Sequence, residues 1–375
     1  MIYLDHAAST PVLPEALKLL SDSYSQDFAN PSAAHRLGKE LGKKLSGARD
    51  TLKAILGAQP SDQLVFCSSA TEANNLIVRG LNLRGGAVLC SEADHPSLTG
   101  PVHSLGAQIV ALPLEAGQIN TEKLSDVLNE NVSLVLLSQV NNHSGNVQNI
   151  EKLSSLIKEK APKAHIHVDA SQSFTKLPID LKKWSIDSLA LSAHKMGGPR
   201  GIAGLWLKKG VNLKPLFVGG GQEMNLRPST EALPLILSFV EASKVASLKC
   251  SESFLIANES SALLKAMLKE SIPGLQFPFE KVECSPYITT FIVPGISSDI
   301  LLRLLEEKDV FVSSSSACSS KIKGHSSVFE ALGIPNQFHK NVLRLSFSSS
   351  IKKEEIESFV SIFSSILSEL KFLKK

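Results

Sequence analysis

The sequence predicts an α/β protein built on a largely parallel sheet, and three observations carry that reading. Between residues 60 and 210, short apolar runs alternate with stretches of helical pattern, as repeated strand–helix–strand units do. Unusual polar residues recur just past the carboxyl ends of those runs, where open α/β sheets bind their ligands. A length of 375 residues with 43% hydrophobic content is enough for a sizeable core in more than one domain.

The strand-like runs fall at 64–67, 87–90, 108–112, 134–137, 166–168, 188–191 and 202–207, with helical pattern between several of them, as at 150–158. Gly219-Gly-Gly221 then breaks the alternation and opens a loop of special backbone geometry. Helical segments are expected from about 233 to 269, and a second α/β region from about 280 to the end. The last element, 352–373, places Ile356, Phe359, Val360, Phe363, Ile366, Leu367 and Leu370 at helical period, so it is an amphipathic helix packed on a domain. Its lysine-rich end suits a helix C-terminus.

Bulk properties exclude several function classes. The net charge of +3 gives no strong field for nucleic acid. No apolar run is long enough to span a membrane. Met1-Ile-Tyr-Leu-Asp-His6 lacks the basic-then-apolar pattern of a signal peptide. The five cysteines are scattered with no CxxC pair, so neither a disulfide framework nor a zinc finger is expected, and a reducing, cytoplasmic setting is the natural expectation.

The strand ends carry the chemistry. After 64–67 come Ser68, Ser69, Ala70, Thr71 and Glu72; after 87–90, Asp94 and His95; after 134–137, Gln139, Asn141 and Asn142. After 166–168 come Asp169 and Gln172, and after 188–191 come Ser192, His194 and Lys195. A lysine and an aspartate at the ends of neighbouring strands are what pyridoxal phosphate requires. The amine forms a Schiff base with the aldehyde, and the carboxylate keeps the ring nitrogen protonated, so the ring draws electrons from carbanions. Ala70 and Thr71 at a helix start suit the phosphate, with Ser192 and His194 as further donors. His95 can stack on the ring and move protons, and Asn142 and Gln172 suit the ring hydroxyl. Taken singly, each group has a plainer reading: Ser-Ser-Ala-Thr before a helix also reads as a cap. A rival site exists as well, because His165, His167 and Asp169 alternate on one strand face in a pattern that can bind zinc or iron. No further cluster of ligands supports it and Lys195 has no role in it, so no metal is expected.

Cys318 lies among small polar residues from Ser313 to Ser320, a composition that favours a mobile loop. Cys67 and Cys90 end apolar runs and read as packed. A thiol of ordinary pKa is about 3% thiolate at pH 7, so full deprotonation gains about thirtyfold. Placement of a nucleophile can be worth about 10⁵, so delivery by the loop outweighs tuning of the thiol.

The chain resembles the cysteine desulfurases of the NifS/IscS group, within the class V aminotransferase superfamily. The resemblance covers nearly the full length. It rests on Tyr3-Leu-Asp-His-Ala-Ala-Ser-Thr-Pro11, Asn30-Pro-Ser-Ala-Ala-His-Arg-Leu-Gly38, Ser69-Ala-Thr-Glu72 and Val140-Asn-Asn142. It continues in His167-Val-Asp-Ala-Ser-Gln172, His194-Lys195, Ser313-Ser-Ser-Ser-Ala-Cys-Ser-Ser320 and Arg344. It implies a fold-type I pyridoxal 5'-phosphate-dependent transferase. The large domain, with a mostly parallel seven-stranded sheet, would span 14–250; 1–13 and 251–375 would form a smaller α/β domain carrying the cysteine loop. It also implies a homodimer that converts L-cysteine to L-alanine, holding the sulfur as a persulfide for an iron–sulfur scaffold or another acceptor, including tRNA thiolation. In that reading Lys195, Cys318 and His95 are catalytic. Asp169, Gln172, Thr71, Ala70, Ser192, His194, Asn142 and Thr230 hold the cofactor, Thr230 reaching the partner's phosphate. Arg344 and Asn142 take the substrate carboxylate. The alternatives are another class V enzyme, such as a selenocysteine lyase or an aminotransferase, or a non-catalytic sulfur-assembly subunit. Five positions depart from the family pattern: Ser69 and Ser229 replace glycines, His143 replaces a glutamate, and Met224-Asn225 replaces Arg-Gly.

Overall fold

The computed structural model describes residues 1–314 and 326–373, the last three of these as backbone. Its centre is a seven-stranded sheet in the order Gln63–Cys67, Ala203–Leu207, Ser188–Ser192, His165–Asp169, Val132–Ser138, Ala87–Cys90 and Ile109–Ala111. Each of the seven apolar runs is one of these strands. All run parallel except Ala203–Leu207, which pairs antiparallel with both neighbours. The short connection after Lys195 explains the exception, because it leaves too little chain for a crossover helix.

Side chains of successive strand residues enter opposite layers. Leu64 and Phe66 join one core with Leu189 and Leu191, whereas Val65 and Cys67 join the other with Ala190. The first layer is closed by helix Arg36–Leu56, whose Leu41, Leu45, Ala48, Leu52 and Leu56 recur at helical spacing, and by Leu233–Leu248 with Phe239 at its centre. Gly57 ends the first of these helices in the left-handed conformation, φ 66°. The second layer is covered by Ala70–Gly80 and Pro96–Leu105 through Leu76, Ile77, Val78, Leu98 and Val102. The helical stretch expected at 233–269 is two helices, Leu233–Leu248 and Cys250–Ser271, parted at Lys249.

A second body of structure surrounds a smaller set of strands. Ile288–Ile292 pairs antiparallel with Val342–Ser346, and Ile2–Tyr3 pairs parallel with Val310–Phe311. Bridges Asp5–Ser346 and Ser313–Arg344 join the two pairs. Helix Lys353–Leu373 packs here with the expected stripe inward: Ile356, Phe359, Val360, Phe363, Ile366 and Leu367 are buried and Leu370 partly so. Phe359 stacks on Phe363 at 5.6 Å, and Phe363 meets Phe291 edge-on at 5.9 Å.

The loop after the triple glycine is strained. Glu223, Met224 and Asn225 take φ values of 45°, 57° and 64°, and Ser229 takes 91°. A side-chain-bearing residue in the left-handed region costs about 1–2 kcal/mol. The loop is pinned by Glu223, whose buried carboxylate accepts from Arg49 Nη1 at 2.7 Å, Arg49 Nη2 at 2.8 Å and the Phe66 backbone N–H at 2.7 Å. Arg49→Met would leave that carboxylate without its cation and lower unfolding free energy by about 3–5 kcal/mol in urea titration. Ser229→Gly would raise it by about 1 kcal/mol in the same measurement, because glycine accepts that φ without a Cβ clash.

Candidate active site

The carboxyl ends of the parallel strands face a group of charged and polar side chains. Asp169 ends its strand buried, and both carboxylate oxygens accept hydrogen bonds: Oδ1 from the Ser171 N–H at 2.8 Å, Oδ2 from Asn74 Nδ2 at 2.8 Å. On the next strand, Lys195 follows Ser188–Ser192 in a single 3₁₀ turn. Its Nζ donates to the carbonyls of Ala7 and, at 2.8 Å, Ala8. The Ala7 carbonyl also accepts from Gln172 Nε2 at 2.9 Å, so Lys195 and Gln172 meet on one atom of the N-terminal segment. Gln172 Oε1 is buried with no donor among the described residues.

That segment runs across the site. Asp5 Oδ1 accepts from Arg344 Nη2 at 2.7 Å, and the Ala7 N–H donates to Ser346 Oγ at 2.8 Å. Ser9 Oγ lies 3.3 Å from His194 Nδ1, and the Thr10 N–H donates to the His194 carbonyl at 2.9 Å. Arg344, on strand Val342–Ser346, is thereby fixed on two sides, its Nη1 donating to the Asn142 carbonyl at 2.8 Å. Its Nε is buried and has no acceptor among the described residues.

Helix Ala70–Gly80 begins at the same edge. Ser69 takes an extended φ of −162° and its Oγ accepts from the Glu72 N–H at 3.1 Å, while Glu72 Oε2 accepts from the Ser68 N–H at 2.6 Å. The cap therefore uses the third N–H of the helix and leaves those of Ala70 and Thr71, at its positive end, for an anion. An open cleft of about 740 Å³ lies there, lined by Ser69, Thr71, Glu72, Phe217 and Arg227. Arg227 neutralises Glu72 at 3.2 Å.

The electrostatics favour anions. Burial pushes the Lys176 amine down to about 7, helped by Lys195, and Lys176 lies 5.6 Å above the Tyr287 ring. Burial, with Lys195, Arg200 and Lys176, pushes His194 down to about 4. His95 is lowered by burial; Lys195 adds to the shift and Asp169 opposes it. His143, at one of the departure positions, is buried and driven to about 3 by burial, Arg344 and His95.

Of the residues expected at the site, Asp169, Lys195, Gln172, His95, Ser192, His194, Ala70 and Thr71 sit at the carboxyl ends of sheet strands, and Arg344 with Asn142 closes the side reached from the second body. Thr230 is exposed. Cys318 lies outside the described residues. Cys67 and Cys90 are buried as expected. The strand face His165–His167–Asp169 serves a hydrogen-bond chain: His167 Nδ1 contacts Ser188 Oγ at 2.8 Å and its Nε2 contacts Asn74 Oδ1 at 2.9 Å, so both ring nitrogens are engaged. Sequence reasoning missed Asp5, Lys176, Asn74 and Ser97. Asn74 did leave a signal, a polar residue between Ala73 and Leu76 on an otherwise apolar helix face; Lys176 left none.

The mostly parallel seven-stranded sheet, with lysine and aspartate on adjacent strand ends, defines a fold-type I pyridoxal phosphate-dependent enzyme. The chain belongs to the class V aminotransferase family, which matches residues 2–359, and within it to the NifS/IscS group. It is 33% identical to a putative cysteine desulfurase IscS 1 of Bacillus subtilis (strain 168), over 95% of this chain and 96% of that protein. A NifS-like protein from Rickettsia africae ESF-5 superposes with a TM-score of 0.90 at 27% identity, covering 98% of this chain and 99% of that one. The structure of SspA in complex with cysteine matches at 30% identity and a TM-score of 0.79, covering 92% and 99%.

Asp94, beside His95, is buried, and burial raises its carboxyl to about 7 against the opposing hydrogen bonds from Ser138 and Ser91; the Asp169 charge adds to the rise. The folded-state value exceeds the unfolded one of about 3.9. Its contribution to stability is therefore full below about pH 4 and is lost as pH rises through 7. Unfolding free energy measured at pH 5 and pH 8 should fall more steeply for the wild type than for Asp94→Asn.

Proposed function

We propose that this chain is a pyridoxal 5'-phosphate-dependent cysteine desulfurase that converts L-cysteine to L-alanine and carries the sulfur as a persulfide on Cys318. The observation that carries the reading is the pairing of Lys195 and Asp169 on adjacent strand ends, together with an Arg344 whose buried Nε has no acceptor among the described residues.

The residues present fit the coenzyme. Lys195 Nζ is the amine that would hold it covalently. Asp169, accepting from Asn74 and Ser171, is kept acceptor-only for the proton on a ring nitrogen. The N–H groups of Ala70 and Thr71, with Thr71 Oγ1, Ser192 and His194, would bind the phosphate, and Gln172 and Asn142 the ring hydroxyl side. His95 would cover the ring, and Thr230 would reach the phosphate of a second copy in a homodimer. Bound there, the coenzyme supplies a sink for the electron pair left at the amino acid's Cα.

The chain's own residues supply the rest. Arg344 Nε, with Asn142, binds and orients the substrate carboxylate, since Asp5 and the Asn142 carbonyl already hold the other guanidinium nitrogens. Lys195 Nζ moves the Cα proton. Cys318 then attacks the substrate sulfur as thiolate: a sulfur–sulfur bond forms, the Cβ–S bond breaks, and its electron pair stays on carbon, which takes up a proton to give alanine. Residues 14–250 would form the coenzyme domain, and 1–13 with 251–375 the domain that delivers Cys318. The persulfide would pass to an acceptor thiol, as on an iron–sulfur scaffold or in tRNA thiolation, in a cytoplasmic setting.

The purified protein should be yellow and lose its colour on borohydride treatment with the coenzyme fixed to Lys195, and Lys195→Ala should not trap it. With cysteine and a reductant, the wild type should release sulfide and alanine in equal amounts. Cys318→Ala should still bind cysteine, seen as a spectral change, but release no sulfide. Sulfide release untouched by that substitution would overturn the persulfide assignment; colour without cysteine turnover would point to another class V activity. Arg344→Lys should raise KM for cysteine by about 10- to 100-fold, the worth of a charged hydrogen bond.

A further inference from the structure

One buried amide connects the acid of this site to the histidine. Asn74 is fully buried on helix Ala70–Gly80. Its Nδ2 lies 2.8 Å from Asp169 Oδ2 and 2.8 Å from Ser97 Oγ, and its Oδ1 lies 2.9 Å from His167 Nε2. An ionised carboxylate only accepts, so the nitrogen of the amide must face Asp169 and the oxygen must face His167. The remaining directions then follow in both senses along the chain. His167 must donate from Nε2, which leaves Nδ1 to accept from Ser188 Oγ at 2.8 Å; Ser188 Oγ in turn accepts from His165 Nε2 at 2.7 Å. Burial keeps both imidazoles neutral, at about 3 for His167 and about 4 for His165.

On the other side, Ser97 Oγ accepts an Asn74 proton at 2.8 Å and lies 2.9 Å from His95 Nδ1, which its own proton can reach. The Ser97 backbone N–H points at the same Nδ1 from 3.1 Å. Two donors on one nitrogen require that nitrogen to carry no hydrogen.

We propose that Asn74 is a positioning residue that, oriented by Asp169 and acting through Ser97, fixes His95 in the tautomer with its proton on Nε2. The functional meaning rests on the desulfurase reading; the hydrogen-bond argument does not. In this tautomer His95 can donate from Nε2 to a substrate or coenzyme group, but it cannot accept a proton there. It takes a proton only at Nδ1, by giving up the bonds from both the Ser97 hydroxyl and the Ser97 backbone N–H. The acid and the imidazole that would flank the coenzyme are thus linked through one amide.

The test uses ¹⁵N-histidine NMR of the full chain without coenzyme, so it does not depend on the activity. Wild-type His95 and His167 should each show a protonated Nε2 and a bare Nδ1. Ser97→Ala, which removes a single hydroxyl, should raise the Nδ1–H population of His95 and leave His167 unchanged. Asp169→Asn removes the acceptor-only partner, frees the Asn74 amide to turn over, and should shift the nitrogens of both histidines. With coenzyme bound, Ser97→Ala should move the visible absorption maximum while Asp169 is intact. The proposal is overturned if wild-type His95 carries its proton on Nδ1, or if neither substitution changes the His95 nitrogens. Asn74→Leu is a stronger lesion and should act on both histidines, but a failure of that variant to fold leaves the two milder substitutions to decide.

Discussion

The arrangement depends on one carboxylate that can only accept hydrogen bonds. Asp169 stands at the end of a central strand, buried, with donors on both oxygens. Because Asp169 never donates, it dictates the direction of each bond that leaves it through Asn74. A strand end, a helix face and the turn before the next helix are given one common polarity by a single side chain. That is the use of a fully satisfied buried polar network: it selects one arrangement where an apolar core would tolerate several.

The second organising element is the first ten residues. Tyr3 belongs to the smaller strand set, and by Thr10 the chain is bonded to the turn that carries Lys195. In between, Asp5 holds Arg344, and the Ala7 carbonyl accepts from Gln172 and Lys195. The guanidinium belongs to one body of structure and the amine to the other, and this segment sets their separation. It also holds the Lys195 amine, whose Nζ donates to the Ala7 and Ala8 carbonyls.

Much of this was legible in the sequence, for reasons that can be named. The seven strands were readable because buried strands leave short apolar runs between turn residues, and the C-terminal helix because seven apolar positions keep helical period. Lys195 and Asp169 were readable because each ends such a run. The antiparallel direction of Ala203–Leu207 was hidden, since pairing direction is a property of the connection and leaves little trace in the strand itself. Asp5 and Lys176 were hidden because their partners, Arg344 and Tyr287, lie more than a hundred residues away and no local spacing encodes the meeting. Asn74 lay between: its position on an apolar face marked it as unusual, but its role needed three other segments in place.

The departures from the family pattern separate into three kinds once the geometry is known. Ser69 is extended and caps its helix, so a side chain costs nothing there and supplies a bond. Met224, Asn225 and Ser229 hold left-handed backbone that glycine would adopt freely. That loop is kept in place by the Arg49–Glu223 pair, which is stronger than a surface pair because it is bidentate and sheltered. His143 has a different consequence. A carboxylate at this buried position would sit against Arg344 and neutralise it; a neutral imidazole leaves Asp5 as the carboxylate bonded to that guanidinium. The guanidinium then keeps more of its charge for an incoming anion, in a pocket where Lys195 and Lys176 already lower the histidine at position 194. A neutral imidazole at this position therefore leaves that wall more favourable to an anion than a second carboxylate would.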